Sequence, residues 1–139
     1  TAMTLNSTGL GVGVTPSAWA AAVKAFQIGA AGAVSYDGTN YDIASNRYLA
    51  SGGISTYITT GFATMARQVS GQHLWYTAPS GTAGNAITFT ERLRLKDTGQ
   101  LRFVPLAADP SGAEAGDVYY NSTSNKLKCY NGTTWNDLF

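Results

Sequence analysis

HLWYTAPSGTAGNAITFTERLRLKDTGQLRFV, residues 73–104, carries strand, loop and turn signals in close succession. Leu74, Trp75 and Tyr76 suit a strand, whereas Pro79, Gly81 and Gly84 do not continue one comfortably, so a polar loop is expected after the aromatic run. Beyond it Ile87, Phe89, Leu93 and Leu95 recur two apart on either side of Glu91, the period of a strand with one buried face. Lys96-Asp97-Thr98-Gly99 has the composition of a tight turn, and Leu101 and Phe103 resume the alternation. The stretch reads as strand, polar loop and hairpin, which is the vocabulary of an all-β chain.

The start of the chain carries a second copy of the end of this stretch. Met3-Thr4-Leu5-Asn6-Ser7-Thr8-Gly9 lies against Leu93-Arg94-Leu95-Lys96-Asp97-Thr98-Gly99 without a gap, and Leu10 then matches Leu101 with one residue inserted. Both copies describe a hairpin, with Gly9 and Gly99 placed where a positive φ is expected. Thr1 stands where Glu91 stands in the other copy. The chain therefore reads as beginning partway through a unit of a longer, repetitive protein.

From the first hairpin the reading proceeds in order. Thr15-Pro16-Ser17 breaks the strand, Ser17 is a good N-cap, and Trp19, Val23 and Phe26 share a helical face, so a short helix is expected from Ser17 to Ala22. A strand containing Phe26 and Ile28 follows. Residues 33–69 are a succession of short strands, among them a hairpin turned by Asp37-Gly38-Thr39-Asn40. After a linker holding Pro105, Pro110, Gly112 and the acids Asp109 and Glu114, the chain closes as a meander whose turns are 121–125 and Asn131-Gly132. Edges this numerous, with few charged residues to protect them, are most simply covered by copies of the same chain.

Composition narrows the function. The 139 residues suffice for about one domain, and 44% are hydrophobic, yet only 12% are charged, about half the usual share. A net charge of +1 gives no electrostatic footprint for nucleic acid or an anionic membrane, and no apolar run approaches the roughly 20 residues of a membrane span. Recognition by shape and hydrogen bonds is expected. The single cysteine, Cys129, excludes an intrachain disulfide and a cysteine metal cluster.

Chemistry is sparse. His73 is the only histidine and has no Ser or Cys at catalytic spacing. Asp37 and Asp42 have the residue type of a glycoside-cleaving pair, but Asp37 is explained as well by its turn. The glycines of GLGVGV lack the lysine and long helix of a phosphate loop. Asn6, Asn121 and Asn131 match the glycosylation pattern and are read as turn formers. No catalytic residue, metal site or cofactor is expected. Exposed aromatics beside amides and acids can hold a sugar, which singles out Tyr36, Asp37, Asn40 and Tyr41 in one loop and Tyr130, Asn131, Trp135 and Asn136 at the end. Packing between chains explains the same residues.

WYTAPSGTAGNAITFT with the Leu-x-Leu hairpin, GLGVGVTPSAW, and GDVYYNSTSNKLKCYNGTTWNDL occur here in the order used by bacteriophage tail-fibre and tail-spike proteins, which the chain resembles. The resemblance implies an elongated, intertwined parallel homotrimer in a virion appendage, made in the host cytoplasm and joined to upstream fibre or other virion proteins. It implies attachment to a bacterial surface glycan or outer-membrane receptor, with no nucleic-acid partner and no membrane insertion. On this reading residues 1–14 end a preceding repeat hairpin, 15–104 form the central module, 105–116 a linker and 117–139 a capping meander. Trp19, Phe26, Trp75, Phe89, Leu93, Leu95, Tyr119 and Trp135 are then candidates for the trimer core and cap. A polysaccharide-degrading tail-spike domain and a bacterial surface adhesin are the alternatives. Many such fibres carry a self-cleaving C-terminal chaperone, and nothing after Trp135 is long enough to be one.

Overall fold

Bulky and small side chains alternate in KAFQI, GAVSY and YDIAS, and period-two alternation places them on opposite faces of a strand. The computed structural model, which describes residues 2–139, is built almost wholly on that period; Thr1, aligned above with Glu91, lies outside the described residues. The strands in chain order are β1 (Met3–Leu5), β2 (Gly9–Val12), β3 (Lys24–Ile28), β4 (Gly32–Tyr36), β5 (Tyr41–Ser45), β6 (Tyr48–Ala50), β7 (Ile54–Thr56), β8 (Gly61–Val69), β9 (Gln72–Gly81), β10 (Thr90–Leu95), β11 (Leu101–Phe103), β12 (Val118–Asn121), β13 (Lys126–Tyr130) and β14 (Trp135–Asp137). The only helical element among the described residues is a 3-10 turn, Ser51–Gly53. The chain is all-β. It divides into two compact units, the first ending at Gln100 and the second running Leu101–Phe139.

In the first unit the strands lie in the order β1-β2-β3-β4-β5-β8-β9-β10, antiparallel throughout except for the parallel pair β2 and β3. The hairpin 3–12 is thus a part of this sheet. A parallel pair needs a crossover, and residues 13–23 supply it by passing over one face. This is where a helix was expected, and the expectation fails: residues 15–20 are irregular and 21–22 a turn. Trp19 and Val23 still share one side, because both descend onto the sheet and bury against Ala25 and Ala33. Ala20 donates its N–H to Leu49 O at 2.7 Å, which ties the crossover to β6. Burial set by tertiary contact reproduced helical spacing without a helix.

Two further differences have local causes. β9 continues through Pro79 to Gly81 rather than breaking there, because the register against β8 shifts between Gly61 and Ala63 and the proline falls at the irregularity, where no ladder N–H is required. In β10 the register shifts between Glu91, opposite Tyr76, and Leu93, opposite Trp75. Such a bulge exchanges the two faces. Ile87 and Phe89 accordingly pack with Tyr57, Ala63 and Ala78, while Leu93 and Leu95 emerge on the opposite side.

The two repeat copies keep the hairpin with different turns. At Gly99 the φ of 89° meets the expectation of a left-handed residue. Gly9 lies in β2 without a positive φ, and what it needs is room, since a Cβ there would stand 2.5 Å from Ala25 O.

In the second unit β12, β13 and β14 form an antiparallel meander. Part of the expected linker is built into this fold. Leu106 bridges Asn121 in parallel, its N–H donating to Tyr120 O and its carbonyl accepting from Ser122 N–H. Tyr119 packs edge-on against Trp135 at 4.7 Å, and Trp135 lies tilted against Tyr130 at 5.2 Å.

Candidate functional site

The register of the first unit sorts its side chains into two unlike faces. The inner face, under the crossover and β6–β7, carries Ala25, Gln27, Ala33, Ser35, Asp42, Ala44 and Met65, all buried. Its centre is ionic. Asp42, 2% exposed, accepts from Arg47 Nη1 at 2.7 Å and from Arg67 Nε and Nη2 at 2.7 and 2.8 Å, while Arg47 is itself 1% exposed. Burial pulls the Arg47 pKa down against the carboxylate's opposing pull, and the hydrogen bonds to Asp42 raise that of Arg67. Both guanidinium groups stay charged at neutral pH. Gln27 Oε1 accepts from Ser17 N–H and Trp19 Nε1–H, fixing the crossover in place.

The opposite, outer face is apolar and open. Partners in register across the sheet are Leu5, Leu10, Phe26, Val34, Ile43, Ala66, Trp75 and Leu93, one from each strand of the unit's sheet. Leu5 is 80% exposed, Ile43 53%, Trp75 41% and Phe26 38%. One row beyond lie Met3, Val12 and Ile28, grading into Ser45, Thr64, Thr77 and Thr90; the row on the other side holds Lys24, Tyr36, Tyr41, Gln68, His73 and Leu95. With strands about 4.8 Å apart and residues about 3.3 Å apart, the three rows cover roughly 34 by 13 Å. Its continuous apolar part is the central row, with Met3, Val12 and Ile28 beside it at one end.

The candidate core residues therefore part company. Phe26, Trp75, Leu93 and Leu95 meet on the open outer face. Trp19, 4% exposed, is covered by its own chain and is not available to another. Phe89 is half-buried inside, near Tyr76 at 6.2 Å. Tyr119 and Trp135 pack together in the second unit.

Of the two candidate sugar loops, the first is brought together at the β4–β5 tip. Tyr36 and Tyr41 are cross-strand partners, both more than two-fifths exposed, and Tyr36 OH donates to Gly38 O at 2.9 Å. The polar members are occupied: Asp37 Oδ1 accepts from Thr39 and Asn40 N–H, and Asn40 Nδ2 donates to Asp37 Oδ2. Partial burial pushes the Asp37 carboxyl up, but these hydrogen bonds outweigh it and hold the pKa below its ordinary value. Asp37 thus caps a turn, whereas Asp42 is bonded to two arginines under the sheet. In the second loop Tyr130 and Trp135 are paired across β13 and β14, Asn131 Oδ1 accepts from Thr133 and Thr134 N–H, and Asn136 Nδ2 donates to Thr134 O.

Asn6 and Asn121 cap their turns as Asn131 does, each Oδ1 accepting from the N–H groups two and three residues on. Asp109 accepts from Tyr119 OH and, at 3.0 Å, from Lys128 Nζ, contacts that hold its pKa low. Cys129 is unpaired and half-buried in β13. Among the described residues no group of three His, Cys, Asp or Glu is placed to hold a metal, and no helix is long and apolar enough to cross a membrane.

Sequence reading missed Arg47, Arg67 and Gln27 as the inner polar centre, and Leu10, Val34 and Ile43 as the outer row. The outer row was signalled in KAFQI, GAVSY and YDIAS, where every bulky apolar residue takes the same parity. What the strand pattern lacked was the rest of the chain to say which parity faces inward.

No family model matches the sequence, and no curated protein matches it. The structure is similar to that of ORF18 of Geobacillus virus E2, with a TM-score of 0.48 and 18% identity over 84% of this chain. The aligned part spans 26% of that protein. A superposition this loose decides neither fold nor function.

Proposed function

We propose that this chain is a structural and adhesive segment of a trimeric bacteriophage tail fibre, which attaches to a bacterial surface glycan. The observation that carries the reading is the open apolar row from Leu5 to Leu93. Water penalises such a face at about 25 cal/mol per Å², and three copies that turn it toward a common axis would bury it together. Low surface charge does not oppose that contact. The tail-fibre motifs supply the trimeric arrangement and the virion setting; the paired tyrosines at the β4–β5 tip and the Tyr130–Trp135 pair supply aromatic surfaces for a sugar ring.

Sedimentation equilibrium at micromolar concentration tests the assembly. A trimer is expected; a monomer would sink the reading, and a dimer would replace the threefold arrangement with a face-to-face pair. A glycan array probed with the assembled protein tests attachment, and an array without signal while the intact particle still adsorbs would remove adhesion from this segment.

A further inference from the structure

Beside the β4–β5 tip, the β8–β9 turn closes a cleft of about 280 Å³ lined by Thr39, Gln68, Ser70, Gln72 and His73 among others. We infer that this cleft is the binding site for one ring of a neutral saccharide, with the exposed Tyr41 on the strand beside it, in register with Gln68. The inference rests on the adhesive reading above and moves the polar half of the site off Asp37 and Asn40.

The reason is the accounting of hydrogen-bonding groups. Both Asp37 oxygens already accept within their own turn and Asn40 Nδ2 donates one of its two hydrogens there, which holds both side chains to the turn. Gln68 lies in register with Tyr41 on one side and His73 on the other. Among the described residues, no side-chain hydrogen bond engages Thr39, Gln68, Ser70 or His73. Gln72 borders the cleft, but its side chain accepts from Arg94 through Oε1 at 3.3 Å and has the parity of buried Leu74, so Gln68 and His73 are the strand residues that supply the polar groups. The His73 ring is held by stacking on Trp75 at 6.4 Å. Amide, imidazole and hydroxyl groups both donate and accept, as sugar hydroxyls do, while the neighbouring ring of Tyr41 offers an aromatic surface to the apolar face of a sugar. No Lys, Arg, Asp or Glu lines the cleft, so nothing there neutralises a charged sugar. Its volume is near the lower end of small-molecule clefts, roughly 300 to 1,000 Å³, which suits one ring rather than a chain. The row Tyr41–Gln68–His73 is the margin of the outer face, one row off the apolar centre.

Nitrogen-15 NMR of the assembled protein titrated with lactose, maltotriose and chitotriose to about 10 mM tests this, weak single-site affinity being sufficient where copies act together. The expected result is perturbation centred on the Gln68 side-chain amide and on Thr39 and Ser70, with at least tenfold weaker binding in Gln68→Ala and His73→Ala and less than a twofold change in Asn40→Ala. Perturbation confined to other residues, loss of binding in Asn40→Ala with Gln68→Ala unaffected, no response to any of the three sugars, or binding of an acidic saccharide only would each overturn it. Sedimentation of the same samples reports assembly separately, so a trimer that ignores these sugars defeats this site without touching the fibre reading.

Discussion

The inner and outer faces of the first unit's sheet invert the usual assignment of residue types. Asp42, Arg47, Gln27 and Ser35 are buried beneath the crossover, whereas Phe26, Ile28, Ile43 and Trp75 face outward. A domain meant to stand alone gains most by turning bulky apolar residues inward, at about 1.5 to 3 kcal/mol for each fully buried side chain. Here the inner layer is closed by hydrogen bonds and small residues beside Trp19, Val23, Met65 and Leu74, which fix one arrangement of crossover on sheet, while Phe26, Ile28, Ile43 and Trp75 stay exposed. The inner face thus specifies the protomer. The outer face, on the proposed reading, drives its assembly.

Breaking the inner face should have the largest effect. Asp42→Ala leaves Arg47 buried without its counter-ion, and removing one partner of a buried pair costs about 3 to 5 kcal/mol. Denaturant unfolding should show the first unit destabilised by that amount; a change under about 1 kcal/mol would mean the ionic centre is not holding the layer. Ile43→Glu attacks the middle of the outer row instead. Its expected signature is at least a hundredfold weaker self-association by sedimentation, about 2.7 kcal/mol, with stability of the dissociated chain altered by less than about 0.5 kcal/mol. Equal damage to both quantities would erase the distinction between the faces.

Trp135→Ala extends the comparison to the second unit, where aromatic packing within the chain is the main core. Fully buried Trp truncations cost about 3 to 5 kcal/mol, and a half-buried ring touching Tyr119 and Tyr130 should cost nearer 2 kcal/mol. Near-ultraviolet circular dichroism should lose the signal of the coupled rings, and an unchanged spectrum would show that this cluster does not order the meander. The smallest effect expected is that of acid on the β4–β5 tip. The Asp37 pKa lies below its ordinary value of 3.8 when folded, so the unfolded chain takes up the proton first and the turn's contribution, complete at neutral pH, is lost as pH falls below 3.8. Asp37→Asn should flatten that part of the stability profile, with little change at pH 7.

How much of this was legible in the residues varies with the range of the interaction. The turns were read well, since Asn6, Asp37, Asn121 and Asn131 each satisfy N–H groups only two and three positions away. Trp19 and Val23 were misread as helical because their spacing records a descent onto Ala25 and Ala33, contacts the local sequence does not contain. Phe89 and Leu93 were placed on one face by parity, and the bulge after Glu91 separated them. Tyr36, Asp37, Asn40 and Tyr41 come together at the β4–β5 tip, where hydrogen bonds inside the turn, which the residue types alone do not specify, tie Asp37 to Asn40.

By itself, then, the sequence determined an all-β chain, its hairpin turns and the period-two alternation of its strands, because each of these depends on residues within a few positions of one another. The tertiary structure decided which parity of that alternation lies under the crossover. Asp42 meets Arg67 only when β5 and β8 pair, and that pairing across 25 residues consigns the polar set to the interior and leaves the apolar row outside.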